Sequence, residues 1–544
     1  MNSIKSYIAI VSGAAILCLG SCSDYLDVSS KTSLFDQNYY KTIDDAEMAL
    51  VGCYDGWQLT SGGLPFYLAS EIMSDDCFGA TGNGDGRGYQ AVDRFDISES
   101  PADANMFLDT WTNYYAGIFR CNTLLLKLDQ IDWRAGDGAI RNRIEGQTRA
   151  LRALMYFEMV RMWENIPLLL RPTIENLPQA NPDDVYRAII EDFSFAAKNI
   201  PADAFPKANA EQNDGRITCY AAKALLARVY LFYTGYYGTE APDITRSEVL
   251  QGLEDIISSG EYDLVPDYKN LWEAACSTPV NGEYKFNSTY AGRGNIETVL
   301  AQKFNDTSDY NGNTDGNGWL KMMGMRNFNW SPYGQGWGAC TVHSKMVDAY
   351  EPGDTRKTAS VVDIKGEGID LSSDFENTYK DQREYTGYTV KKYTPMSYYD
   401  GKSATQGGAG DFQISQSQDY IIVRYSDVLL MAAELGSPNA QTYFDQVRTR
   451  AGLGSKPVTK ANILAERRVE FAFEGMRYWD LLRQGIDAAA TAIAEESGVP
   501  VFSGGVSDKV IIKADNVKKT RGLCQIPETQ ITLSKGVLKQ NPGW

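Results

Sequence analysis

Histidine occurs once in the 544 residues, as His343, and no Cys-x-x-Cys is present. A metal site built on several imidazoles, a zinc knuckle and a Ser-His-Asp site therefore lack parts; His343 beside Ser344 has no base–orienter set and reads as an ordinary helix residue. Basic side chains are in deficit: 52 Lys and Arg against 70 Asp and Glu leave a net charge of −18, spread along the chain. That surface repels phosphate backbones and excludes nucleic acid as a partner. After the N-terminus no stretch reaches the roughly 18 uncharged apolar residues of a membrane helix. The glycine-rich run at 79–88, G-A-T-G-N-G-D-G-R-G, lacks both the strand–helix context and the Gly-Lys-Ser/Thr of a phosphate cradle, and reads as a mobile or ligand-facing loop. Asp309, Asn311, Asn313, Asp315 and Asn317 alternate like calcium ligands, but the Gly and bidentate Glu of an EF-hand are missing. A turn-rich loop is expected there, with no metal and no cofactor.

Residues 1–21 have the build of a lipoprotein signal peptide: Lys5, an apolar run from Ile8 to Leu19, then Leu19-Gly20-Ser21-Cys22. Cys22 is the expected lipidation site, and acyl chains at about 0.8 kcal/mol per buried methylene anchor a body that has no spanning helix. Ser23-Asp24-Tyr25-Leu26-Asp27 is similar to the surface-export signal of Bacteroidota lipoproteins, which implies an outer-membrane address facing outward. Of nine cysteines, Cys18 leaves with the signal and Cys22 is lipidated; the odd remainder of seven implies small buried hydrophobes rather than a full disulfide framework.

Apolar periodicity predicts helices over 44–57, 107–129, 137–164, 217–233, 342–350, 425–435, 440–451, 460–484 and 487–497. Ala150, Leu151, Ala153 and Tyr156 recur as Ala224, Leu225, Ala227 and Tyr230, an offset that suggests tetratricopeptide-like helix pairs. From 260 to 420 the texture turns to Gly, Asn, Asp, Tyr and Trp; short strands at 298–304 and 388–393 are expected among long loops, the kind that carry function. Within 466–485, Val469, Ala472, Phe473, Met476, Trp479, Leu482 and Ile486 draw one apolar stripe among alternating charges. Gly475 predicts a kink or break in it, and Glu474–Arg477 and Asp480–Arg483 are spaced to pair on the helix surface. A carboxylate among arginines is held ionised, so nothing here suits proton donation.

The run E-R-R-V-E-F-A-F-E-G-M-R-Y-W-D-L-L-R closely resembles the C-terminal signature of the SusD/RagB family of nutrient-capturing outer-membrane lipoproteins. R-I-E-G-Q-T-R-A-L-R-A-L-M-Y-F-E-M-V-R-M-W, N-I-E-T-V-L-A-Q-K-F, I-V-R-Y-S-D-V-L-L-M-A-A-E and Q-I-P-E-T-Q-I-T-L-S-K-G-V-L-K-Q-N-P-G-W resemble further blocks in order. The resemblance implies a mostly α fold with tetratricopeptide-like pairs and a large loop-rich portion with a few short strands. It makes 22–544 a single SusD-like domain, with a helical scaffold over about 40–260 and 421–544 and ligand-binding loops mainly at 260–420 with 58–106. It also implies a partner, a SusC-like TonB-dependent barrel over which the lipoprotein sits as a lid, and no catalytic residue.

Glycan capture calls for flat aromatic faces beside amides, carboxylates and guanidinium groups. The densest supply is W-L-K-M-M-G-M-R-N-F-N-W-S-P-Y-G-Q-G-W, with Trp319, Trp330, Tyr333 and Trp337 as expected ligand contacts. Asp75, Arg87 and Tyr89 form a second candidate, where the resemblance implies ligand-contacting loops; these loops share no motif, so no residue carries over by position. The expected function is capture of an oligosaccharide and its delivery to the barrel. The alternatives are peptide capture, as in RagB-like members, and a surface glycoside hydrolase, which needs two opposed carboxylates where Asp75 and Asp76 are adjacent.

Overall fold

The computed structural model describes residues 39–404 and 411–544. The signal peptide, Cys22 and the acidic stretch behind it lie outside the described residues. No helix among the described residues is long and apolar enough to cross a membrane.

The first half is a row of antiparallel helices, each packed on the next: α1 (Ile43–Gln58), then, past a short α2 (Phe66–Ile72) that packs outside the row, α3 (Leu108–Lys127), α4 (Gly138–Trp163), α5 (Pro182–Asn199), α6 (Cys219–Tyr237) and α7 (Arg246–Ser258). Sequence chemistry sets their ends. Thr42 with Asp45 and Thr245 with Glu248 form capping boxes, and Asn181-Pro182 opens α5. Small residues set the spacing: a Cβ on Gly56 would lie 2.9 Å from the Gly117 backbone, so α1 and α3 cross in near contact. The tetratricopeptide-like arrangement of a mostly α fold is present as read from the sequence.

The loop-rich part contributes α8 (Gly318–Met323) and short strands: β1 (Cys77–Gly79), β2 (Thr298–Gln302), β3 (Cys340–Val342), β4 (Val361–Asp363), β5 (Tyr388–Val390) and β6 (Tyr420–Arg424). One antiparallel sheet has the order β1-β3-β5-β4, with Phe78 opposite Thr341, and β6 pairs with β2. Helices return as α9 (Tyr425–Glu434), α10 (Ala440–Arg450), α11 (Lys460–Glu470) and α12 (Arg477–Leu482), before a hairpin of β7 (Val499–Ser503) and β8 (Val506–Val510). The helix expected over 342–350 is shorter, Ser344–Val347, because 340–342 joins the sheet. His343 caps it, accepting from Lys345 N, while its Nε2 lies 2.9 Å from Glu495.

The break expected at Gly475 is there: α11 stops at Glu470 and α12 starts at Arg477. Gly475 has φ +70°, and a Cβ on it would meet the Tyr420 hydroxyl at 2.8 Å. The expected surface pairing is half right. Asp480 and Arg483 do pair, at 2.7 Å, but both are buried. Glu474 instead faces Arg424 and Lys392, and Arg477 faces Asp75, because the break turns the two residues apart. The motif thus belongs to a buried ionic network in which Glu470 meets Arg424 at 2.9 Å, Arg356 at 3.0 Å and Arg450. The seven cysteines of the described residues are free thiols, and all but Cys276 are buried.

Gly475 N–H donates to Glu71 Oε1 at 2.6 Å, while Glu71 Oε2 is buried without a partner. Burial pushes this carboxyl up to about 8, against the Gly475 hydrogen bond. The unfolded chain releases that proton near the usual carboxylate range and the folded chain keeps it, so stability falls as pH rises between the two, by up to about 1.4 kcal/mol per pH unit. Denaturant titrations of Glu71→Gln should match the parent near pH 5 and show the variant more stable at pH 8; parallel pH profiles would contradict this.

Candidate functional site

The four aromatic residues expected in one loop are dispersed. Trp319 is 1% exposed, its ring set against Tyr67, Tyr420 and Tyr393 at 5.7–6.4 Å. Asn317 caps α8 through Trp319 N and so turns the indole inward, so the expected ligand contact is a core residue. Tyr333, 5% exposed, is likewise taken up internally, its hydroxyl donating to Glu367 at 2.7 Å under Lys391. Trp337 is half-buried beneath Lys321 Nζ at 4.6 Å. Trp330 keeps a partly open face.

The second group divides as well. Asp75 is 5% exposed and held by Arg477 at 2.7 Å and Arg468 at 3.2 Å. Burial opposes its ionisation, but these guanidinium groups outweigh it and hold the carboxyl below the usual range. Its role is to tie the end of α2 to α12, which removes it from the ligand face. Tyr89 is half-buried, its hydroxyl 3.9 Å from Met322 Sδ, and Arg87 is exposed, 3.3 Å from Glu99.

What the fold brings together is a row of rings beside the glycine-rich loop. Trp330 stacks with Phe328 (6.5 Å), Phe328 meets Phe375 (5.6 Å), Phe375 meets Tyr385 (6.1 Å), Tyr385 meets Tyr379 (5.1 Å) and Tyr379 meets Phe502 (5.5 Å). Phe328 and Phe375 are its buried middle; Trp330, Tyr385 and Tyr379 are half-buried, and Phe502 is 40% exposed. Backbone ties Phe502 back to the row: Tyr385 N donates to Phe502 O at 2.7 Å and receives the reciprocal bond at 3.0 Å.

Polar groups border the row. Arg326 donates to Asp381 at 2.7 Å and lies 3.5 Å from Asp85; Asn327 also donates to Asp381, at 3.0 Å. The loop at 79–88 is pinned rather than free. Arg383 donates to the carbonyls of Asn83, Asp85 and Gly86 at 2.8–2.9 Å, leaving the side chains of Asn83, Asp85 and Arg87 exposed. Of the expected contacts, the structure therefore brings Trp330 and Arg87 to this face. Tyr379, Tyr385, Phe502, Arg326 and Asp381 were not picked out. One signal was readable: Ser503-Gly504-Gly505-Val506 between alternating residues marks a hairpin, and both glycines have positive φ. No group of three or more His, Cys, Asp or Glu among the described residues could hold a metal ion.

Residues 24–231 match the family model described as starch-binding, associating with outer membrane, and residues 376–544 match that of the SusD family. A SusD-like protein of Formosa agariphila is 24% identical over 507 residues, covering 86% of this chain and 88% of its own. Surface glycan-binding protein A from Bacteroides thetaiotaomicron superposes with a TM-score of 0.72 at 25% identity, over 92% of this chain and 99% of its own. A laminarin binding SusD-like protein superposes with a TM-score of 0.68 at 28% identity, over 93% of this chain and all of its own.

Proposed function

The chain belongs to the SusD/RagB family, and from that premise we propose that it captures an oligosaccharide at the cell surface and hands it on chemically unchanged. The observation that carries this reading is the partly open aromatic row from Trp330 to Phe502 with its polar border. Sugar rings lay their apolar C–H faces on aromatic rings, and their hydroxyls pair with amides, carboxylates and guanidinium groups. Asn83, Asp85, Arg87, Asn327 and Asp381 supply those groups beside the rings. Two of the similar solved proteins are named for binding glycan or laminarin, which supports a glycan over a peptide.

In this reading residues 22–544 act as one domain, anchored in the outer membrane through Cys22 and facing outward. The helical layer serves as scaffold and as the contact with a SusC-like TonB-dependent barrel, over which the protein closes as a lid. No group on the aromatic face performs chemistry on the ligand.

Electrophoresis of the purified protein through gels containing different glycans tests this, with the eluate assayed for cleavage products. Retention without products is expected. Trp330→Ala and Phe502→Ala should each weaken retention by about 1–3 kcal/mol, roughly five- to 150-fold. Cleavage products, or retention untouched by both substitutions, would overturn the proposal.

A further inference from the structure

A second concave face lies on the seam where the end of α1 and the turn after it meet the 302–318 segment. It consists of two hollows, of about 390 and 480 Å³, on either side of Gln58. Gln58 forms the saddle between them, its Nε2 donating to Lys303 O at 3.2 Å and Asp315 O at 2.9 Å. The second hollow is a fixed feature of the fold: Gly316 packs so tightly that a Cβ would lie 1.6 Å from Ile414 O.

The cations of this seam stand out. Elsewhere nearby they are paired: Lys303 with Asp214 and Asp419, Arg120 with Asp55. Arg216, in the first hollow, lies over the Tyr54 ring at 5.2 Å; it has no ion pair among the described residues, and its Nη1 is buried without a hydrogen-bond partner. Lining the same hollow, Gln302 is almost fully buried with an unpartnered Oε1. In the second hollow the Lys321 ammonium lies over Trp337 and has no hydrogen bond or ion pair among the described residues. Burial pulls its ammonium below the usual range, against the pull of Asp411.

Asp109 also lines the second hollow, and two of the other carboxylates beside it are already engaged. Asp309 accepts from the backbone of Asn311 and Asn313, and Asp411 accepts from Tyr310 Oη and Gln413 N. A half-buried cation without an ion pair is costly to keep, and a chain of net charge −18 holds one in each hollow.

We propose that the seam is a second binding site, for an anionic oligosaccharide whose acidic groups meet Lys321 and Arg216 while a sugar face lies against Tyr310. The Tyr310 ring is 67% exposed, its hydroxyl held by Asp411, so the face is presented rather than packed. The seam shares no residue with the aromatic row, so the two sites are separable by mutation.

Isothermal titration of the purified protein tests this with three probes: trigalacturonate, a sulfated carrageenan tetrasaccharide and laminaritetraose. Binding of at least one acidic probe is expected, weakening as salt rises. Lys321→Gln and Arg216→Gln should each weaken it about tenfold or more, and Lys321→Arg should largely restore it. Neither Gln variant should alter laminaritetraose binding, which Trp330→Ala should weaken. Failure of both acidic probes to bind, or acidic binding that ignores Lys321→Gln and follows Trp330→Ala, would overturn the second site. Loss of acidic binding in Lys321→Gln with neutral binding indifferent to Trp330→Ala would instead leave this site standing and remove the row.

Discussion

Glu470→Ala should lower the unfolding free energy by about 3–5 kcal/mol, the cost of breaking a buried ion-pair network by removing one partner. Glu470 is fully buried and joins Arg424, Arg450 and Arg356 at the break between α11 and α12. Removing it leaves three guanidinium groups to share the remaining Glu297, Glu466, Glu474 and Asp354. Burial alone would raise its pKa, but the three arginines outweigh that and hold the carboxyl far below the usual range. For an acid with a lowered folded pKa, the stabilisation is present above the unfolded value and is lost as pH falls towards the folded one. Urea titrations should therefore show a large midpoint shift at pH 7 that shrinks in acid. A shift under about 1 kcal/mol at pH 7 would mean that the network relaxes around the gap.

Trp319→Ala is the second large effect, about 3–5 kcal/mol of stability from the transfer and cavity terms of a buried indole. The ring fills the space between Tyr67, Tyr393 and Tyr420, which is also where Gly475 comes closest to Tyr420. The protein that remains folded should retain glycan as the parent does. This separates Trp319 from Trp330, eleven residues on in the same run: one is expected to change stability, the other affinity. Unfolding midpoints together with gel retention, both measured below the variant's transition, check the pair. Weakened retention at full stability would return Trp319 to the ligand face.

That contrast shows how far sequence reasoning reaches. The scaffold was legible because helix periodicity is local: α1, α3, α4, α6, α9 and α10 lie where the apolar spacing predicts. Gly475 announced its break because a glycine in the middle of an apolar helical stripe weakens the helix, and the structure gives it a positive φ. Helices α5 and α7 were missed although Asn181-Pro182 and the Thr245–Glu248 capping box mark their starts. The ligand face was legible only in part. Spacing in a Gly- and Asn-rich run does not say which aromatic turns inward, since that depends on Asn317 capping α8 and on β3 pairing 260 residues away with β1. Phe502 joins Tyr385 across more than a hundred residues, a contact no local pattern encodes. Asp75 was misread for a related reason: its partners Arg468 and Arg477 come from the far end of the chain.

The most direct measurement is a crystal structure of the protein with an oligosaccharide that it retains in gels. The account predicts sugar rings laid on Trp330 or Phe502, hydroxyls within hydrogen-bond reach of Asn83, Asp85, Asn327 or Asp381, and every glycosidic bond intact. Sugar bound elsewhere with those rings bare, or a cleaved linkage held between two carboxylates, would contradict it.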